Sequence, residues 1–198
     1  MTFPRRVVIA HGYNAHPDKH WFPWLASEVE IGGGEAVRIP FPDAAEPTVE
    51  KWSAATAKAI GQVDAGTWLV GHSLGCVTLL RHLASLDEPW QLGGIVLVAG
   101  FDGRLASLPQ LDEYLAETLT DEQIARIVAN TGVIRTIRSD DDIAVPPASS
   151  DELARRLESE VAVVPGGGHF GEADGWVELP IVLTAFTAGP TPDATLAP

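Results

Sequence analysis

The chain has 198 residues, 45% hydrophobic and 20% charged, and its 13 basic residues against 27 acidic ones leave a formal charge of −14. Such a length and composition fit one globular domain with a full core, and exclude a disordered chain or two comfortable domains. The acidic field repels phosphate backbones and anionic lipid surfaces, which argues against nucleic acid or a membrane as partner, and the single cysteine, Cys76, excludes an intramolecular disulfide.

The first stretch, MTFPRRVVIAHGYN, holds an unbroken apolar run of only four residues, too short for a signal-peptide core. No later run approaches a membrane span, so a cytoplasmic location is expected. Residues 6–10 (RVVIA) read as the first strand and 35–40 (EAVRIP) as the second. A helix follows in TVEKWSAATAKAIGQV, where Val49, Trp52, Ala59, Ile60 and Val63 share one face behind Thr48 as cap, with Thr56 the one polar residue on that face. Residues 67–70 (TWLV) make the third strand, followed by a helix in CVTLLRHLASL, and 93–100 (GGIVLVAG) make the fourth strand.

About thirty residues then separate Gly100 from Val133, enough for two short helices that form a small flap at 101–131 over the strand ends. Within them TDEQIARIV has Thr120 and Gln123 at capping-box spacing. Residues 132–138 (GVIRTIR) and 161–165 (VAVVP) complete the strands, with SSDELARRLE between them carrying Ser149 and Glu152 at the same spacing. Residues 189–198, rich in proline and small side chains, read as a loose tail. Several strands are nearly all apolar rather than alternating, as in a parallel sheet covered on both faces. The predicted fold class is therefore α/β: one domain over 1–188, a three-layer sandwich with a mostly parallel sheet of about six strands.

Ligands of such sheets sit beyond the carboxyl ends of the strands, where LVGHSLGCV places Ser73 directly after the third strand. GHSLG matches G-x-S-x-G, a sharp strand-to-helix turn that exposes a serine in a strained conformation, and side chains at Gly71 or Gly75 would collide with neighbouring backbone. The following helix N-terminus favours the oxyanion of acyl transfer.

A serine needs a base. Of six histidines, His169 in VVPGGGHFG follows the last strand in a glycine-rich loop able to reach across the strand ends. His72 lies inside the turn and should point away from the serine, His82 sits in the following helix, and His11 ends the first strand. His16 and His20 stand i, i+4 in HPDKH, but Pro17 and the lack of a glutamate argue against a metal helix, and no metal is expected. The orienting acid is Asp140, Asp141 or Asp142 in RSDDDIAVPP, or Asp102 one strand earlier; either choice gives the order serine, acid, histidine. The glycine clusters at 32–34 and 166–168 do not form a dinucleotide fingerprint.

With HGYNAHPDKHWFPWL, GHSLG, SDDDIAVP and GGGHF, the chain resembles the α/β-hydrolase superfamily over nearly its whole length. More narrowly it is similar to the small serine-hydrolase family that includes the retinoblastoma-binding serine hydrolase and short bacterial relatives. The resemblance implies that the acid is the aspartate standing before IAVP, Asp142, and that the oxyanion donors are the backbone N–H groups of Leu74 and Tyr13, although HGYN here replaces a polyglycine run. The expected activity is that of a carboxylesterase for small neutral esters, acting through Ser73, His169 and Asp142 with no metal or organic cofactor. Tyr13, Trp21, Trp24 and Phe170 are the expected lining of a small acyl pocket. The alternatives are a hydrolase-fold binding or regulatory protein with little catalysis, and a triad hydrolase of amide, peptide or thioester bonds. No protein partner is indicated.

Overall fold

The computed structural model describes residues 4–87 and 89–186; the expected tail at 189–198 lies outside the described residues. Six strands form one sheet: β1 (Arg6–Ala10), β2 (Glu35–Arg38), β3 (Thr67–His72), β4 (Leu92–Val98), β5 (Thr131–Ser139) and β6 (Glu160–Val164), in the order β2-β1-β3-β4-β5-β6. Every pairing is parallel, so the sheet is wholly rather than mostly parallel. The apolar strands explain this directly. Val7, Ile9, Val70, Val96 and Ile137 feed the core on one face, and Val8, Leu69, Ile95 and Ile134 the core on the other.

The first of these layers holds α1 (Phe22–Ile31) and α6 (Ile181–Ala185), through Phe22, Leu25 and Val182. The second holds α2 (Val49–Ile60), α3 (Leu74–Ser85), α4 (Asp121–Asn130) and α5 (Pro147–Arg156), through Trp52, Leu79, Ile127 and Leu153. The three-layer α/β sandwich follows. Among the described residues no helix is long and apolar enough to cross a membrane.

Local chemistry sets several helix starts. Thr48 Oγ1 accepts the Lys51 N–H at the start of α2, and α4 opens on a complete capping box between Thr120 and Gln123. On α2 the buried stripe is Trp52, Thr56 and Ile60, whereas Val49 in the first turn is 42% exposed. Thr56 is tolerated inside because its hydroxyl donates to the Trp52 carbonyl at 2.7 Å. Ser149 does not cap α5. The helix begins at Pro147, whose fixed φ suits a first helical position, so Ser149 falls within the first turn.

The connection after β4 contains a single 3-10 turn, Pro109–Leu111, and then α4, which runs straight into β5. It is anchored along α3: the Tyr114 and Thr78 hydroxyls lie 2.7 Å apart, and Arg81 donates to the carbonyls of Tyr114 and Glu117.

The strand order reverses direction between β1 and β3. The chain leaves β1 toward α1 on one face and leaves β3 toward α3 on the other, which opens a crevice at their carboxyl ends. HGYN and GHSLG meet there.

Candidate active site

Ser73 joins β3 to α3 with φ +54° and ψ −123°, a conformation an L-residue adopts only when its surroundings compel it. Here they do. The Ser73 N–H donates to the Val98 carbonyl and the Cys76 N–H to the Ser73 carbonyl, both at 2.9 Å. The turn closes so tightly that a Cβ on Gly75 would collide with the Ala10 carbonyl and lie 2.7 Å from the His11 carbonyl oxygen. One on Gly71 would stand 2.9 Å from the Cys76 backbone nitrogen, so both glycines of the motif are required by close approach.

The loop after β1 lies against this serine. A Cβ built on Gly12 would be 2.9 Å from Ser73 Cβ and 3.4 Å from its Oγ. Tyr13 follows at once, and among the described residues nothing accepts from the backbone N–H of Tyr13 or of Leu74, the first residue of α3. Tyr13 itself is half-buried against the α2–α3 core.

His169 Nδ1 is 2.8 Å from Asp142 Oδ2. A carboxylate only accepts, so in neutral His169 the proton sits on Nδ1 and Nε2 keeps its lone pair. Asp142 is buried, and its other oxygen accepts the N–H groups of Ala144 and Val145 at 2.8 and 2.9 Å. The three adjacent aspartates thus have separate tasks: Asp140 accepts from the Gly166 N–H, Asp141 from the Gly168 N–H, and Asp142 alone meets the imidazole. Asp102 does not approach His169. It pairs with Arg156 at 2.8 Å and accepts the Leu119 N–H, tying β4 to α5 and to the segment before α4.

His72 has a structural place, and of its two ring nitrogens only Nε2 finds a partner among the described residues. Its Nε2 lies 2.7 Å from the His169 carbonyl, an acceptor, so Nε2 carries the proton and fastens the base-bearing loop to the elbow. Burial and the neighbouring His169 hold the His72 imidazole well below its ordinary 6.5, in the neutral form. His20 and Glu172 bond reciprocally: the His20 N–H donates to Glu172 Oε1 at 2.7 Å and the Glu172 N–H to His20 Nδ1 at 3.0 Å. Nothing in the sequence signals this pairing across 152 positions. His16 accepts the Asp18 N–H, and among the described residues no cluster of three metal-ligating side chains forms.

Of the aromatics expected as lining, Trp21 and Phe170 are fully buried in the core shared with α1 and α6, the Trp21 indole N–H donating to the Phe170 carbonyl at 3.1 Å. Large aromatics beside a site are buried by the hydrophobic effect unless something holds them out. Trp24 is half-buried against the same core.

Burial lowers the pKa of His11, His20, His72 and His82 from 6.5. Below pH 6.5 the unfolded chain takes up protons on these residues that the folded chain refuses, so stability is full above that pH and falls as pH drops through it. The thermal midpoint is expected to decline between pH 7.5 and 5.5, before the carboxylates titrate; scanning calorimetry across that window checks this, and a flat midpoint would contradict it.

The family profile described as serine hydrolase matches residues 7–188. The chain is 36% identical to the protein YdeN of Bacillus subtilis over 184 residues, 93% of this chain and 95% of that one. The solved structure of the B. subtilis ydeN product superposes with a TM-score of 0.86, covering 92% of this chain and 98% of that chain at 36% identity. A YdeN-like protein of Pectobacterium atrosepticum shares the fold with a TM-score of 0.69 at 18% identity, over 90% of this chain and 86% of its own. With the matched profile spanning both the elbow and the histidine loop, the chain belongs to the serine hydrolase family.

Proposed function

We propose that the protein is a carboxylesterase of small neutral esters in which Ser73 is the nucleophile, His169 the base and Asp142 the acid that orients it. The observation that carries this reading is the commitment of His169 Nδ1 to a buried carboxylate, which leaves Nε2 as the ring's only proton acceptor. In the first step Nε2 takes the Ser73 Oγ proton as Oγ bonds to the acyl carbon, and the oxyanion is received by the N–H groups of Leu74 and Tyr13. The tetrahedral species then breaks its ester C–O bond, and the imidazolium returns the proton to the departing alkoxide. A water, deprotonated by Nε2, attacks the acyl-enzyme and releases the acid and free Ser73. No step calls on a metal or organic cofactor. The charge of −14 disfavours anionic acyl groups, which is why neutral esters are proposed, and it weighs equally against nucleic acid or an anionic membrane as partner. The buried, unpaired Cys76 is in keeping with a cytoplasmic setting.

The test is labelling of the full chain with a fluorophosphonate probe and peptide mapping of the adduct, beside hydrolysis of p-nitrophenyl acetate, butyrate and octanoate. The expected results are an adduct on Ser73 and turnover highest on the short chains. A folded protein that takes no label and hydrolyses none of these esters would instead favour a binding role for the fold.

A further inference from the structure

His169 stands in a glycine-rich turn at 166–171 that has little backbone bonding of its own: the Gly167 N–H reaches the Val164 carbonyl at 3.3 Å and the Phe170 N–H the Gly167 carbonyl at 3.2 Å, both long. Gly166 and Gly168 have positive φ, so the chain here is free to take other conformations unless it is held. Side chains hold it. Asp174 Oδ2 accepts the His169 N–H at 3.0 Å and the Gly171 N–H at 3.1 Å. Asp141 Oδ1 accepts the Gly168 N–H at 2.8 Å, and the Ser139 hydroxyl donates to the Gly168 carbonyl at 2.6 Å. His72 supplies the donor to the His169 carbonyl. Thus both main-chain polar atoms of His169 are taken by side chains, as is ring Nδ1, and Nε2 is left over.

From this we infer that Asp174, supported by Asp141, is a positioning residue for the base: the two carboxylates hold the main chain at and before His169 so that its imidazole meets Asp142 in a single orientation. The inference rests on the triad reading above. Both carboxylates are exposed, so their charges are screened by water and salt, and what they contribute is an acceptor at a fixed place. An asparagine supplies the same acceptor without the charge. At Asp142 the requirement differs, because an amide can turn its NH₂ toward Nδ1 and leave the imidazole in the wrong tautomer.

The experiment compares Asp174→Ala, Asp174→Asn, Asp141→Ala, Asp141→Asn and Asp142→Asn in p-nitrophenyl acetate hydrolysis. It adds fluorophosphonate labelling rates and the downfield proton resonance of the His169 Nδ1–H. Asp174→Ala is expected to lower kcat by about ten- to a hundredfold with KM little changed and to broaden or shift that resonance, since a misplacement of order 1 Å suffices for such a loss. Asp174→Asn should restore both to within about threefold, and the Asp141 pair should behave likewise with a smaller fall of about three- to tenfold. Wild-type kcat and resonance in Asp174→Ala would overturn the inference. So would an equal fall in Asp174→Ala and Asp174→Asn, which would assign the effect to charge. Were Asp174→Ala not to fold, the Asp141 pair decides by the same criteria. A silent Asp142→Asn would defeat the triad reading itself, and is read separately from Asp174.

Discussion

Ser73→Ala is expected to lower ester turnover by about 10⁴- to 10⁶-fold and to abolish fluorophosphonate labelling, with the far-ultraviolet circular dichroism unchanged. The size follows from what is removed. In the proposed mechanism alanine deletes the atom that forms the covalent acyl intermediate, while the proposed oxyanion donors, the Leu74 and Tyr13 N–H groups, remain to give the residual rate. The fold has no need of the hydroxyl: Ser73 makes no side-chain cap to α3, and the turn is held by its backbone bonds to Val98 and Cys76. Relief is not expected either, because alanine keeps the Cβ and with it the cost of φ +54°. His169→Ala should fall to a similar level, and the double variant little further, since the two act as one unit. Comparable turnover in Ser73→Ala and wild type, measured on protein purified free of host esterases, would end the proposal.

Asp142→Asn should lower kcat by about 10³- to 10⁴-fold, whereas Asp102→Asn should leave it within a few-fold. Asp142 is buried with one oxygen on His169 Nδ1 and the other on two backbone N–H groups, so an amide there either turns its NH₂ to the ring or loses the loop contacts. Asp102 instead meets Arg156 and the Leu119 N–H, and its replacement removes a charge-assisted bond between β4 and α5. That variant should lose stability, on the order of 1–3 kcal/mol, visible in urea unfolding rather than in turnover. The reverse pattern, a silent Asp142→Asn with a disabled Asp102→Asn, would move the acid to the end of β4.

The two carboxylates show what a one-dimensional reading is able to separate. Spacing placed both on loops after neighbouring strands, and resemblance to a family preferred Asp142. The physical distinction is that Asp102 finds a cation from α5, 54 residues later, whereas Asp142 finds an imidazole 27 residues later. Neither distance is written in local sequence. The same holds for His72, whose partner is a carbonyl 97 residues on, and for Trp21, whose indole N–H meets the Phe170 carbonyl across 149 positions inside the core. Ser149 failed as a cap for a local reason: the prolines just upstream began the helix three residues sooner, with Pro146 in the cap position.

What the residues alone determined are the features whose causes are local or periodic. Doubly apolar strands separated by helical stretches require a covered parallel sheet, Thr48 and Thr120 start their helices with their own hydroxyls, and the Gly-x-Ser-x-Gly turn fits its sharp bend because two positions lack a Cβ. What only the tertiary structure decided is which polar groups meet across the crevice between β1 and β3. A hydrogen bond there needs atoms within about 3 Å from segments far apart in the chain, and that register is set by the packing of the two cores and not by the composition of any one loop. The three aspartates at 140–142 are chemically identical in sequence; the pleat and turn after β5 aim the first two at glycine N–H groups and only the third at His169.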